Sequence, residues 1–85
     1  MIITKLVVLG QPKIEDKDDR TYGIARVDGG IERYLKVTIR RFLHDGHPLE
    51  IYINGSTPLY PTVVYAENGE LLGVSAGLLG VAEDE

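Results

Sequence analysis

Apolar and polar residues alternate along most of this chain, and clusters of turn-forming residues break the alternation at short intervals. A period of two puts successive side chains on opposite faces of a strand, whereas a buried helix needs a period near 3.6. No window carries a convincing helical stripe. The stretch RYLKVTIRRF (33–42) shows the pattern best. Leu35, Val37 and Ile39 point one way, and Tyr34, Lys36, Thr38, Arg40 and Phe42 the other.

Turn signals divide the chain into strands over Ile2–Leu9, Arg20–Val27, Ile31–Leu43 and 49–54, with a hairpin over 62–74. GQP ends the first strand, and a polar loop is expected over Lys13–Asp19. DGG (28–30) supplies the positive φ angles of a tight hairpin. Asn68-Gly69 suits a type I′ turn, and Asn54-Gly55 a strand-ending turn. The long strand over Ile31–Leu43 is expected to bend. Together these features predict an all-β fold: a small antiparallel barrel or meander of about five to six strands, OB-like or SH3-like.

With 85 residues, the chain is expected to form a single domain, 1–85, around one core. A hydrophobic fraction of 44% with 26% charged residues lies outside the range of intrinsic disorder. There is no cysteine, which removes disulfides and Cys-based zinc or iron–sulfur sites. The N-terminal MIITKLVVLG is interrupted by Lys5 and lacks a cleavage motif, so it reads as a strand and not a targeting or membrane segment. A soluble, cytoplasmic protein is expected.

Motifs for catalysis or cofactor binding are sparse. His44, Asp45 and His47 share one turn and make a poor zinc set; a polar hairpin tip built on Asp45-Gly46 explains them as well. EDKDD (15–19) departs from the calcium-loop pattern, because Arg20, Thr21 and Val27 occupy required ligand and glycine slots. Ser56 and Ser75 lie outside any nucleophile motif, and both phosphate-binding glycine patterns are missing. Gly77 and Gly80 bracket two leucines, which suits close packing. Glu50 is turned outward beside Tyr52, where solvent opposes the pKa shift that an acid–base role requires. The expectation is a non-enzymatic protein with no metal and no cofactor.

Net charge is −4, yet Arg20–Pro48 is cationic while acids gather at 15–19, at Glu67 and Glu70, and at 83–85. Tyr34, Lys36, Arg40 and Phe42, extended by Tyr52 and Arg26, therefore read as a basic and aromatic strand face. Single-stranded nucleic acid is the sharpest candidate ligand, since bases stack on rings beside a cationic groove. The same residues also suit a protein interface, or a solvated strand surface in which charges guard an edge. The first strand is apolar on both faces. Ile3, Val7 and Leu9 then call for a cover, either the Leu71/Leu72 and Leu78/Leu79 pairs or another subunit. A homo-oligomer, dimer or larger, or a protein partner is expected there.

Overall fold

A computed structural model describes residues 2–15, 19–41 and 49–78. Its strands are β1 (Lys5–Leu9), β2 (Lys13–Ile14), β3 (Arg20–Tyr22), β4 (Ile24–Val27), β5 (Ile31–Arg33), β6 (Val37–Arg41), β7 (Glu50–Ile53), β8 (Val63–Tyr65) and β9 (Leu71–Val74). They form a larger, five-stranded sheet ordered β5-β4-β1-β8-β9 and a smaller, four-stranded sheet ordered β2-β3-β6-β7. The fold is all-β, as the alternation requires. None of the described helices is long and apolar enough to cross a membrane.

Alternation sorts the faces. Leu6, Val8, Ala25, Val27 and Val64 turn inward from the larger sheet, and Tyr22, Val37, Ile39 and Ile51 from the smaller. With Leu35 and Leu49 they form one buried cluster, on which Ile3, Ile53 and Leu72 also pack. Burying these side chains is the main favourable term, worth about 1.5–3 kcal/mol for each large one.

Two of the four passages that the described strands make from one sheet to the other fall within strands expected to be continuous. Gly23 separates β3 from β4, and Tyr34–Lys36 separate β5 from β6. The single strands expected over Arg20–Val27 and Ile31–Leu43 are thus each divided, because a strand changing sheets must drop its ladder partners at the corner. The second corner has a local cause: Leu35 N–H donates to the Arg33 carbonyl at 3.1 Å, a three-residue turn with Tyr34 at its apex. The Phe42–Leu43 end of the expected strand lies outside the described residues. Lys13–Ile14, expected as loop, pairs with β3.

The sheets do not close into a barrel. At the seam between β7 and β9, the described residues contribute the Leu49↔Ser75 bridge, with Leu49 N–H donating to the Val74 carbonyl at 2.9 Å. The pairing is not antiparallel throughout, since β1 and β8 run parallel in the register Leu6↔Val64. Alternation carries no strand direction, so β1 gave no sign of this partner. Strand β8 reaches β1 only after the smaller sheet has been completed.

The turns obey their glycines in different ways. Asn54 (φ 52°) and Gly55 (φ 85°) make the type I′ turn after β7, closed by Ile53 N–H to Ser56 O at 2.7 Å and Ser56 N–H to Ile53 O at 3.1 Å. Asn68-Gly69 does not. Only Gly69 is left-handed there (φ 92°), and the Asn68 side chain instead accepts from Glu70 N–H at 2.9 Å. The β8–β9 hairpin closes through Gly69 N–H to the Ala66 carbonyl at 3.0 Å, a longer turn ended by a left-handed glycine. At 28–30 the expected tight hairpin forms: β4 and β5 pair antiparallel across a three-residue 3₁₀ turn in which Gly30 takes the positive φ (88°).

Thr62 and Ser75, both buried, stitch the end of β9 to β1. Thr62 Oγ1 donates to the Ile3 carbonyl at 2.8 Å, Thr62 N–H donates to Ser75 Oγ at 3.1 Å, and Ser75 N–H donates to the Thr62 carbonyl at 2.9 Å. Buried hydroxyls cost stability unless bonded, and here each is bonded.

Candidate interaction surfaces

The outward positions of the smaller sheet are polar. Thr21 faces Thr38 across β3 and β6, with their hydroxyls 2.9 Å apart, and Thr38 faces Tyr52 across β6 and β7. Arg40 lies over the Tyr52 ring, 5.5 Å from its centroid, and its Nε donates to Asp19 Oδ2 at 3.3 Å. The Asp19 charge, then the hydrogen bond to it, raises the Arg40 pKa above its ordinary value, with Tyr52 and Glu50 adding less. The guanidinium therefore remains charged throughout the working pH range. The Tyr52 hydroxyl donates to the Glu50 carboxylate.

Arg40 and Tyr52 are thus brought together, but the other expected site residues are dispersed. Tyr34 and Lys36 stand at the corner between the sheets. The Tyr34 side chain is almost fully in solvent, at 89% exposure, and Lys36 N–H donates to Asn54 Oδ1 at 3.0 Å. Arg26 belongs to the larger sheet, where it pairs with Glu32 at 3.0 Å. Phe42 lies outside the described residues, as do His44, Asp45, His47, Asp16, Asp18 and the C-terminal acids. Among the described residues no three metal-binding side chains converge.

The outward face of the larger sheet is different in character. Register places Ile24 beside Leu9, Arg26 and Tyr65 on either side of Val7, and Lys5 beside Val63; Val74 and Leu71 continue the face on β9. Val7, Leu9, Val63 and Tyr65 are half-buried, while Ile24, Leu71 and Val74 are exposed. The described residues supply no further layer over this face. Leu71, offered by sequence as a cover for β1, is part of the surface itself. Its neighbour Leu72 packs inward, because a bulge between Val64 and Tyr65 shifts the register. Leu78 is exposed and is held at Pro58, its N–H donating to the Pro58 carbonyl at 2.7 Å.

Val7 and Leu9 therefore sit on this outer face as the alternation of β1 implies, but Ile3 does not join them. It packs on the core and lines a recess of about 200 Å³ with Ile53, Pro58 and Tyr60. Val63, Tyr65 and Val74 were missed by sequence reasoning. Their alternation was visible, but which parity faced the core depended on β8 pairing with β1.

Charge is graded along the face. Lys5 stands at its start, 5.3 Å over the Tyr65 ring, beside a recess of about 300 Å³ shared with Val7, Arg26 and Asp28. Glu67 stands at the opposite end, where its Oε1 accepts from Gly10 N–H at 2.9 Å. Glu70, also exposed, lies in the same hairpin turn. Comparison with protein-family models, with curated proteins and with solved structures finds no match for this chain.

Proposed function

We propose that this chain is a non-enzymatic assembly module that associates with a second copy of itself through the outer face of its larger sheet. The supporting observation is the run of apolar side chains Val7, Leu9, Ile24, Val63, Tyr65, Leu71 and Val74 on the side of that sheet away from the core. A contiguous apolar surface of this kind marks an interaction site. The same proposal describes the paired sheets as a small barrel of OB-like or SH3-like type opened along one seam, a description supported by the two segments that bend from sheet to sheet.

Sheet spacings make the patch a few hundred Å², below the roughly 800 Å² per partner of a standard interface. A weak, reversible association is expected. Sedimentation velocity across a concentration series is expected to show monomer giving way to dimer. Leu71→Arg, a change at an exposed position that leaves the core untouched, is expected to abolish the dimer. A natural chain that stays monomeric at the highest concentration removes the assembly reading.

Single-stranded nucleic acid is the second reading, favoured by Arg40 over Tyr52 and by the exposed Tyr34 ring. It ranks lower because Arg26 and Arg40 are each paired with a carboxylate. In a titration with a mixed-sequence oligonucleotide at ~50 mM salt, it requires binding that weakens steeply as salt rises. Tyr34→Ala and Arg40→Ala should each lower the affinity; no binding at that salt eliminates it.

A further inference from the structure

We infer that the two copies stack their larger sheets with strands antiparallel, about a two-fold axis crossing the face at the Val7–Tyr65 row. This inference rests on the assembly reading and specifies its geometry. A two-fold interface must be complementary to itself, so each patch has to meet its own counterpart. On β1 and β8 the register Lys5↔Val63 and Val7↔Tyr65 puts Lys5 two residues before the central row. Glu67 follows Tyr65 by two residues on the other side of that row, and its bond to Gly10 keeps it beside the end of β1.

A half-turn about an axis lying across the strands exchanges these ends. Lys5 of each copy then approaches Glu67 of the other, and the ion pair forms twice. The apolar side chains of β1, β8 and β9 lie between the two pairs. An axis running along the strands would instead bring like ends together, placing Lys5 near Lys5 and Glu67 near Glu67. Like charges brought together oppose a register, and complementary ones select it. In the antiparallel stack Arg26, which shares the central row with Val7, meets its own counterpart, and the Glu32 beside each offsets that charge within its own chain.

The test uses two single variants of the full chain, Lys5→Glu and Glu67→Lys, studied apart and mixed. Each alone places two like-charge contacts in its own dimer and is expected to weaken self-association by about tenfold or more. An equimolar mixture restores opposite charges at both contacts. Its association is therefore expected to recover to within about threefold of the natural chain. Loss of the Lys5 contact with Tyr65, or of the Glu67 bond to Gly10, occurs within one chain and is not repaired by mixing.

Weakening of each variant alone together with recovery on mixing establishes the antiparallel stack, because with like ends together neither single change adds a repulsion; variants as strong as the natural chain overturn it. A mixture as weak as its components, with the natural chain dimeric and Leu71→Arg monomeric, overturns this geometry and leaves the assembly reading standing. A natural chain without any dimer overturns both. Should either variant fail to fold, the salt dependence of the natural dimer decides: association weakening as salt rises supports the paired ends, and indifference to salt overturns them.

Discussion

Replacing Gly77 by alanine is expected to destabilise the fold by about 2–5 kcal/mol, from two costs that add. The backbone at Gly77 is left-handed (φ +79°), a conformation that costs an L-residue about 1–2 kcal/mol. An added Cβ would also lie 2.5 Å from the Tyr60 carbonyl carbon and 2.8 Å from the Pro61 nitrogen. Both obstacles are backbone atoms, so no side-chain rotation relieves them. They belong to the segment leading into Thr62, whose hydroxyl holds Ile3 and whose amide holds Ser75. Moving the segment would disturb the bonds that tie β8 and β9 to β1.

Gly69 provides the control. It too is left-handed (φ +92°), but an added Cβ there meets nothing within 4 Å. Gly69→Ala should therefore cost only the conformational term, about 1–2 kcal/mol. Urea unfolding of the two variants separates packing from backbone strain. Equal losses at both positions would sink the claim that Gly77 is held by close packing. Since a domain of this size has only about 5–10 kcal/mol in total, the larger loss brings it near unfolding.

Leu6→Ala is expected to cost about 2–5 kcal/mol and to lower the thermal midpoint by more than about 10 °C. Leu6 is fully buried on β1, the middle strand of the larger sheet, where it faces Val27 on one side and Val64 on the other. Three strands converge there, which limits how far the cavity can collapse. Leu71→Ala removes the same atoms from a side chain that is 56% exposed and should cost the monomer less than about 1 kcal/mol. The pair should be compared at a concentration where the chain is monomeric. Similar losses at the two positions would mean that the inner and outer faces have been assigned the wrong way round.

These contrasts mark where local pattern ceases to inform. In RYLKVTIRRF, the burial of Leu35, Val37 and Ile39 was readable, because parity along an extended chain is a local property. The expected grouping of Arg26, Tyr34, Arg40 and Tyr52 on one face, which parity cannot establish, did not form. Chain passage between the sheets at Tyr34–Lys36 leaves Arg26 on one sheet and Arg40 with Tyr52 on the other. Two Asn-Gly pairs diverge for a related reason. At Asn54 the left-handed turn is accompanied by a bond to Lys36 N–H, whereas Asn68 bonds Glu70 two residues on. Identical dipeptides took different geometries in different surroundings.

From the residues alone came the class of the fold, the strand-forming stretches, the inward parity of β6 and the apolar character of both faces of β1. All of these depend on neighbours a few positions apart. Tertiary structure decided that β8 lies parallel beside β1, that two strands break to change sheets, and that Tyr65, Leu71 and Val74 join Val7 on one outer surface. Such choices rest on contacts between residues far apart in the chain, whose free energy exists only once the loops between them have closed.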